Sequence, residues 1–377
     1  MRILIAPDSF KESLTASEAA AAIAAGFATA FPDADLITRP MADGGEGTLT
    51  VLVDALTGQP QRATVTGPLG ECTGAGWGLC GTTAVIELAE AAGLAQVPPS
   101  LRDPGRTTTY GVGELIRAAL DAGATHLVIG LGGSATCDGG AGLLQALGAR
   151  LVDAHGQSIG FGGAALARLA RLDLTGLDER LARCRIDVVC DVDHPLAGPE
   201  GAALVFAPQK GATPQQAQAL DAALAHYGAL LSLACGRDVA SPPGAGAAGG
   251  TGAALLALGG TLQRGAEWVM AATGIETGIT GCDLVITGEG RLDGQTRHGK
   301  APCAVARAAQ RQGVPVIAIA GSLGEDTAAL AGLFHAIFAV VPGPCSPEAA
   351  LRDAARNLQA TSRNVAAVLR LGRLDPR

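Results

Sequence analysis

The chain has 377 residues, 48% apolar and 16% charged, enough to bury more than one hydrophobic core. Its net charge of −8 and its 3% of aromatics speak against a base-stacking nucleic-acid surface and against an anionic membrane as partner. The nine cysteines are odd in number, with no pair at the two-residue gap of a zinc knuckle or redox motif; they read as reduced thiols, mostly small core residues.

Pro7 and Asp8 interrupt the N-terminus too soon for a secretory apolar region, and the Ala-rich run Ala19 to Phe31 is too short to span a bilayer. A soluble, cytoplasmic protein is expected. Ile3 to Ala6 predicts a first strand, and Thr15 with Glu18 forms a capping box for a helix reaching Ala30. Asp35 to Thr38 predicts a second strand, followed by an acidic, glycine-rich turn over 41–48 and a helix to Leu56. The rhythm then changes. Arg62 to Thr66, Gly76 to Leu79 and Val85 to Leu88 predict strands with no helix between them. A helix from Gly113 to Ala122 follows the hydroxyl-rich Thr107 to Thr109. Next come a strand from His126 to Ile129, a loop over 130–140 and a helix to Leu147.

Ile186 to Cys190 predicts a strand leading into Asp191 and Asp193, and Ala203 to Phe206 another leading into Lys210. A helix spans 214–234, and the glycines and prolines of 241–252 suggest a boundary or joint. The strand–helix alternation returns with Leu284 to Thr287, Val316 to Ala320 and Ala336 to Val341, and a helix capped by Ser346 runs from Pro347 to Leu371. Two N-terminal and three C-terminal strands therefore predict a five-stranded parallel sheet carrying one inserted domain. On rhythm alone the first domain takes 1–62 and 259–377, and the insertion 63–258.

Residues 283–302 organise the chain. A buried-type strand breaks into a loop carrying Glu289, Arg291, Asp293 and Gln295, then meets Lys300 before a helix over 302–312. In open α/β sheets ligands bind where strands end in this way. Gly294 to Ala301 matches the P-loop pattern through its Gly-Lys pair and fails at the next position, where Ala301 replaces the Ser or Thr that holds Mg²⁺. A Gly-Lys pair before a helix start can still hold phosphate. Gly130 to Ala135 satisfies the dinucleotide pattern, a weak signal among 54 glycines; an anion-binding turn using Ser134, Thr136 and Asp138 is the better reading. Asp191 and Asp193 offer two carboxylates on one side of an extended segment, suited to Mg²⁺ or a general base. Lys11, Lys210 and Lys300 are the chain's only lysines, and their placement at predicted strand ends argues for phosphate contacts. No histidine spacing, Gly-x-Ser-x-Gly elbow or covalent nucleophile presents itself. A nicotinamide-dependent dehydrogenase of a small hydroxy acid and a non-catalytic phosphate- or sugar-acid-binding protein remain alternatives.

Seven motifs in order over nearly the full length resemble the class I glycerate kinase family. They are Ala6–Lys11, Met41–Thr48, Thr109–Leu115, Gly132–Thr136, Asp191–Asp193, Pro208–Ala212 and Thr287–Thr296. The resemblance implies a flavodoxin-like domain with a second α/β domain inserted and the site in a cleft between them. It implies ATP with Mg²⁺, D-glycerate phosphorylated on its 2-hydroxyl, and a monomer or homodimer. Lys11, Lys210 and Lys300 would hold ATP phosphates or the glycerate carboxylate. Asp191, Asp193 and Glu289 would hold Mg²⁺, and Asp191 or Asp43 would orient or deprotonate the hydroxyl. Asp8, Ser9, Gly44, Gly45, Glu46, Gly132, Gly133, Ser134, Asp138, Gly288, Arg291, Asp293 and Gln295 would line the substrate and nucleotide. Three residues depart from the pattern: Glu12 where glycine is usual, and Cys137 and His194 where asparagine is.

Overall fold

The computed structural model describes residues 1–294, 296 and 300–372. Its strands are β1 (Arg2–Ile5), β2 (Asp35–Thr38), β3 (Gln59–Thr66), β4 (Cys72–Cys80), β5 (Thr83–Glu87), β6 (His126–Gly130), β7 (Arg150–Val152) and β8 (Arg171–Asp173). They continue with β9 (Arg185–Val189), β10 (Thr261–Gln263), β11 (Leu284–Thr287), β12 (Arg291–Leu292), β13 (Val316–Ala320), β14 (Ser322–Leu323) and β15 (Ala336–Ala339). By internal contacts the chain divides into one unit of Met1–Asp43 with Arg264–Arg377 and a second of Gly44–Gln263. Residues 44–62, grouped by rhythm with the first domain, fall in the second unit because helix Thr48–Ala55 packs on β4 and β5.

In the first unit a parallel sheet runs β2-β1-β11-β13-β15, the flavodoxin-like order. β11 and β13 are buried along their whole length, which is why their sequences are continuous apolar runs without alternation. Ile3, Ile5, Ile286 and Ile319 pack with Ile23 and Phe27 of helix Ala16–Ala30 and with Leu358 and Val365 of helix Ala354–Leu371. The Thr15–Glu18 capping box forms in both directions. The predicted C-terminal helix is two, Pro347–Arg352 and Ala354–Leu371, interrupted at Asp353. The order reverses between β1 and β11, so the carboxyl ends of these two strands form the sheet's switch point.

In the second unit a six-stranded sheet runs β10-β9-β6-β5-β4-β3, with β10, β9, β6 and β5 mutually parallel and β5, β4 and β3 antiparallel. Its core is built mainly from Ala and Leu, with fewer Ile and Val, and with Trp77 and Tyr227 as the large aromatics. Three expectations fail here. Ala203 to Phe206 lies in a short helix, Ala202–Phe206, so Lys210 follows a helix and a 3-10 turn instead of a strand. Residues 244–254 are buried and mostly form a kinked helix, Ala247–Ala257, so this glycine run is packed interior and no joint. A Cβ at Gly249 would overlap the Thr136 carbonyl oxygen, so glycine is required by backbone-on-backbone contact. Finally, of the nine cysteines, all free, only Cys137, Cys282 and Cys303 are buried, and Cys72 and Cys345 are exposed. No helix among the described residues is long and apolar enough to cross a membrane.

Candidate functional site

At the switch point of the first unit the chain leaving β1 stays beside the chain leaving β11. Ala6 N–H donates to Ile286 O, Asp8 N–H to Gly288 O, and Thr287 Oγ1 to Ala6 O. These bonds fix Asp8 and Glu289 at neighbouring strand ends, both buried. Asp8 accepts from Ser9 N–H at 2.6 Å, while Glu289 accepts from Thr296 Oγ1 at 2.8 Å and from Lys300 Nζ at 3.4 Å. Burial drives the Asp8 carboxyl well above its ordinary range, with the nearby charge of Asp43 and then Glu289 adding to it. Burial also raises Glu289, against the pull of Lys300 and Thr296. These strand ends thus hold two carboxyls that burial makes reluctant to ionise.

Ser9 Oγ is buried with no hydrogen-bond partner among the described residues, so it has a free valence for a ligand. Arg291 and Asp293 pair at 3.5 Å along the β12 segment, which forms a two-residue ladder with β14, and Gly288 is buried. Lys300 serves as N-cap of helix Ala301–Arg311, placing its backbone at a helix N-terminus. Gln295 and the central positions of the near-P-loop lie outside the described residues. Lys11 is exposed, and its neighbour Glu12 has φ of 66°, a left-handed conformation that costs a non-glycine residue about 1–2 kcal/mol. This backbone is the physical reason glycine suits that position.

In the second unit the dinucleotide reading fails on geometry. A Cβ on Gly132 would overlap the Gly45 Cα, and Gly132 N–H donates to Gly44 O at 3.0 Å. Gly130 and Gly132 are therefore glycines so that the turn Gly44-Gly45-Glu46 can lie against them. The next helix starts only at Ala141, too late for a dinucleotide fingerprint. Beyond Gly133 the loop holds Lys210, which is 2% exposed and donates from Nζ to Ser134 Oγ at 2.8 Å and to Thr136 O at 2.7 Å. Burial lowers the Lys210 ammonium below its usual range, against the weaker opposing influence of Cys137 and Asp138. Among the described residues it makes no ion pair, and two of its three donors are used. A desolvated ammonium with a donor to spare fits an anionic ligand. Thr136 Oγ1, likewise buried, has no hydrogen-bond partner among the described residues.

Asp138 does different work from the ligand contact expected of it. Its carboxylate accepts from Thr109 N–H and Oγ1 and from Gly140 and Gly142 N–H, at 2.8 to 3.3 Å. It ties Thr109 to the end of the loop that carries Ser134 and Thr136. Cys137 points into the core, and the half-buried His194 donates from Nδ1 to Glu200 O and meets Phe206 edge-on. Asp191 is half-buried and Asp193 exposed on the irregular segment after β9. Among the described residues no three His, Cys, Asp or Glu side chains come together as a metal cage.

Sequence reasoning missed Glu87, swallowed by the apolar run of β5. It is buried at the strand's carboxyl end and accepts from Leu49 N–H at 2.9 Å, at the start of helix Thr48–Ala55. Burial raises its carboxyl to about 7, with Glu90 and Glu46 adding to the shift against the helix N–H groups. Because the folded value lies above the unfolded one, the folded state keeps a proton that the unfolded chain has lost. The associated stability is full below pH 4.5 and drains away as pH rises through about 7. Glu87→Gln, which keeps the acceptor, should flatten this dependence and stabilise the protein at pH 8 by up to about 3 kcal/mol. Urea midpoints from pH 4.5 to 8 with the same slope in both proteins would reject this account.

The family model described as "Glycerate kinase family" matches residues 3–370. The chain is 52% identical to the glycerate kinase of Bacillus subtilis (strain 168) and 51% identical to the glycerate 2-kinase of Escherichia coli (strain K12), in each case over 99% of both chains. A crystal structure assigned as glycerate kinase 2 from Salmonella typhimurium LT2 superposes with a TM-score of 0.87 at 53% identity, covering 99% of each chain. The chain belongs to the glycerate kinase family, phosphotransferases that act on an alcohol group.

Proposed function

We propose that the protein transfers the γ-phosphoryl group of ATP to the 2-hydroxyl of D-glycerate, giving 2-phosphoglycerate and ADP with Mg²⁺ present. The observation that carries this reading in the structure is Lys210, a buried cation in a hydroxyl-lined loop with a donor to spare. Phosphoryl transfer is catalysed chiefly by positioning and charge neutralisation, so such a residue supplies what the reaction needs. In the second unit Lys210 holds a phosphate or the glycerate carboxylate, and Asp191 orients or deprotonates the acceptor hydroxyl. In the first unit Lys11 and Lys300 neutralise phosphate oxygens, Ser9 donates to them, and Asp43 is the second candidate for the base.

The donors present fit Mg²⁺, which takes one or two carboxylates and completes its shell with phosphate oxygens and water. Glu289, with Asp8 and Asp43 crowding the same strand ends, offers oxygen ligands whose repulsion a divalent cation relieves. Asp191 and Asp193 are the further candidates. Bound there, Mg²⁺ neutralises charge on the β- and γ-phosphates. Incubation with MgATP and D-glycerate, followed by ³¹P NMR, should show ADP and a 2-phosphoglycerate resonance appearing together. No ADP would sink the kinase reading, and 3-phosphoglycerate would move the transfer to the other hydroxyl.

A further inference from the structure

The second unit carries a cavity of about 340 Å³ that neither Lys210 nor its partners Ser134 and Thr136 line. Its apolar walls are Leu69 and Phe161, 38% and 44% exposed, unusually open for such side chains. Phe161 is not loose: its ring lies 5.1 Å from that of Tyr110, tilted by 50°. Gly105, Ala164 and Ala165 also line it, with Ala164 N–H donating to Gly105 O at 3.0 Å. Two guanidiniums complete the lining, Arg106 and Arg168.

Arg168 is oriented by a bond from Nη2 to Ile159 O at 2.8 Å, which leaves its other donors for a ligand. Among the described residues neither arginine is in an ion pair, and no acid lines the cavity. Asp153 feels Arg168 slightly, but its carboxylate is already held by the N–H groups of His155 and Gln157. Two unpaired arginines beside an exposed, fixed aromatic ring make a place for a dianion attached to an apolar body. The volume is at the small end of ligand pockets.

We propose that this cavity is a second ligand site, taking a small phosphate monoester whose apolar body stacks on Phe161 and Leu69 while Arg106 and Arg168 hold the phosphate. Arginine suits this task because its planar donors match phosphate oxygens. The wall is continuous with the catalytic loop, since a Cβ at Gly163 would overlap the Cys137 carbonyl oxygen and Thr107 Oγ1 donates to Ala135 O.

The test is a calorimetric titration of the full chain with phenyl phosphate, without ATP or glycerate, so its outcome is independent of the proposed catalysis. Saturable binding is expected, weakened about 10- to 100-fold in Arg106→Ala and in Arg168→Ala. It should fall several-fold in Phe161→Ala and persist in Lys210→Met. Both arginines are exposed, so their variants should unfold at the wild-type midpoint. The proposal is overturned by an absence of binding, by undiminished binding in the arginine variants, or by loss of binding in Lys210→Met. Equal affinity for inorganic phosphate would overturn it too, showing that charge alone suffices, and equal affinity for benzoate would reassign the site to carboxylates.

Discussion

Lys210→Met should lower turnover of D-glycerate about 10²–10³-fold, the usual loss when one preorganised electrostatic donor is removed. The same change should leave the protein at least as stable. The ammonium is buried without an ion pair, so the fold bears its desolvation with only Ser134 Oγ and Thr136 O in return. Methionine fills a similar volume without charge, so the recovered desolvation cost of the ammonium offsets the loss of a donor to Thr136 O and Ser134 Oγ. A variant that melts no lower than wild type yet turns over hundreds of times more slowly marks a residue kept for chemistry at a cost in stability. The split between kinetic constants matters as well. If Lys210 binds only the ground state, KM rises and kcat holds; if it meets charge developing on the transferred group, kcat falls. Near-normal kcat/KM in a folded Lys210→Met protein would remove Lys210 from the mechanism.

Much of the first unit was legible because its signals are local. β11 and β13 are uninterrupted apolar runs, Thr15 and Glu18 mark a helix start three residues apart, and the charged loop after β11 lies where a parallel strand must end. The failures share the opposite property. Ala202–Phe206 is too short to show a helical period, so four apolar residues read equally well as strand. β3 and β4 extend well beyond the predicted segments because they are half-exposed and interrupted by Pro60 and by glycines, which blurs alternation. The glycines of 244–252 look like a flexible joint by composition, whereas Gly249 is required by the Thr136 backbone, more than a hundred residues away in sequence. The environment of Lys210 is likewise long-range: its two partners stand 74 and 76 residues earlier in the chain. Sequence pattern could identify Lys210 as unusual, in a chain with three lysines, but only the fold shows that it is buried and held by a loop hydroxyl.

Asp138→Ala should be the most destabilising single substitution considered, because Asp138 holds the loop that holds Lys210. Its carboxylate satisfies three backbone N–H groups and the Thr109 hydroxyl, and that hydroxyl in turn accepts from Leu143 N–H at 3.0 Å. Truncation to alanine strands all of these donors in an interior where Asp138 itself is 1% exposed. Each orphaned buried group costs about 1–3 kcal/mol, less whatever is regained by no longer burying a carboxyl and by water entering the gap. A net loss of about 3–5 kcal/mol is expected, comparable with breaking a buried charged network. Asp138→Asn keeps the shape and one good acceptor but turns an NH₂ toward N–H groups, so it should lose less, about 1–3 kcal/mol. Urea denaturation should therefore rank wild type above Asn above Ala. Activity separates positioning from contact. A residue that acts only by holding Ser134 and Thr136 in place should lose catalysis in proportion to lost loop order, with protection of the Thr109, Gly140 and Gly142 amides from hydrogen exchange falling in the same order. An Asn variant of near-wild-type stability and amide protection that nevertheless loses turnover a hundredfold would show that Asp138 touches the substrate directly, against the geometry.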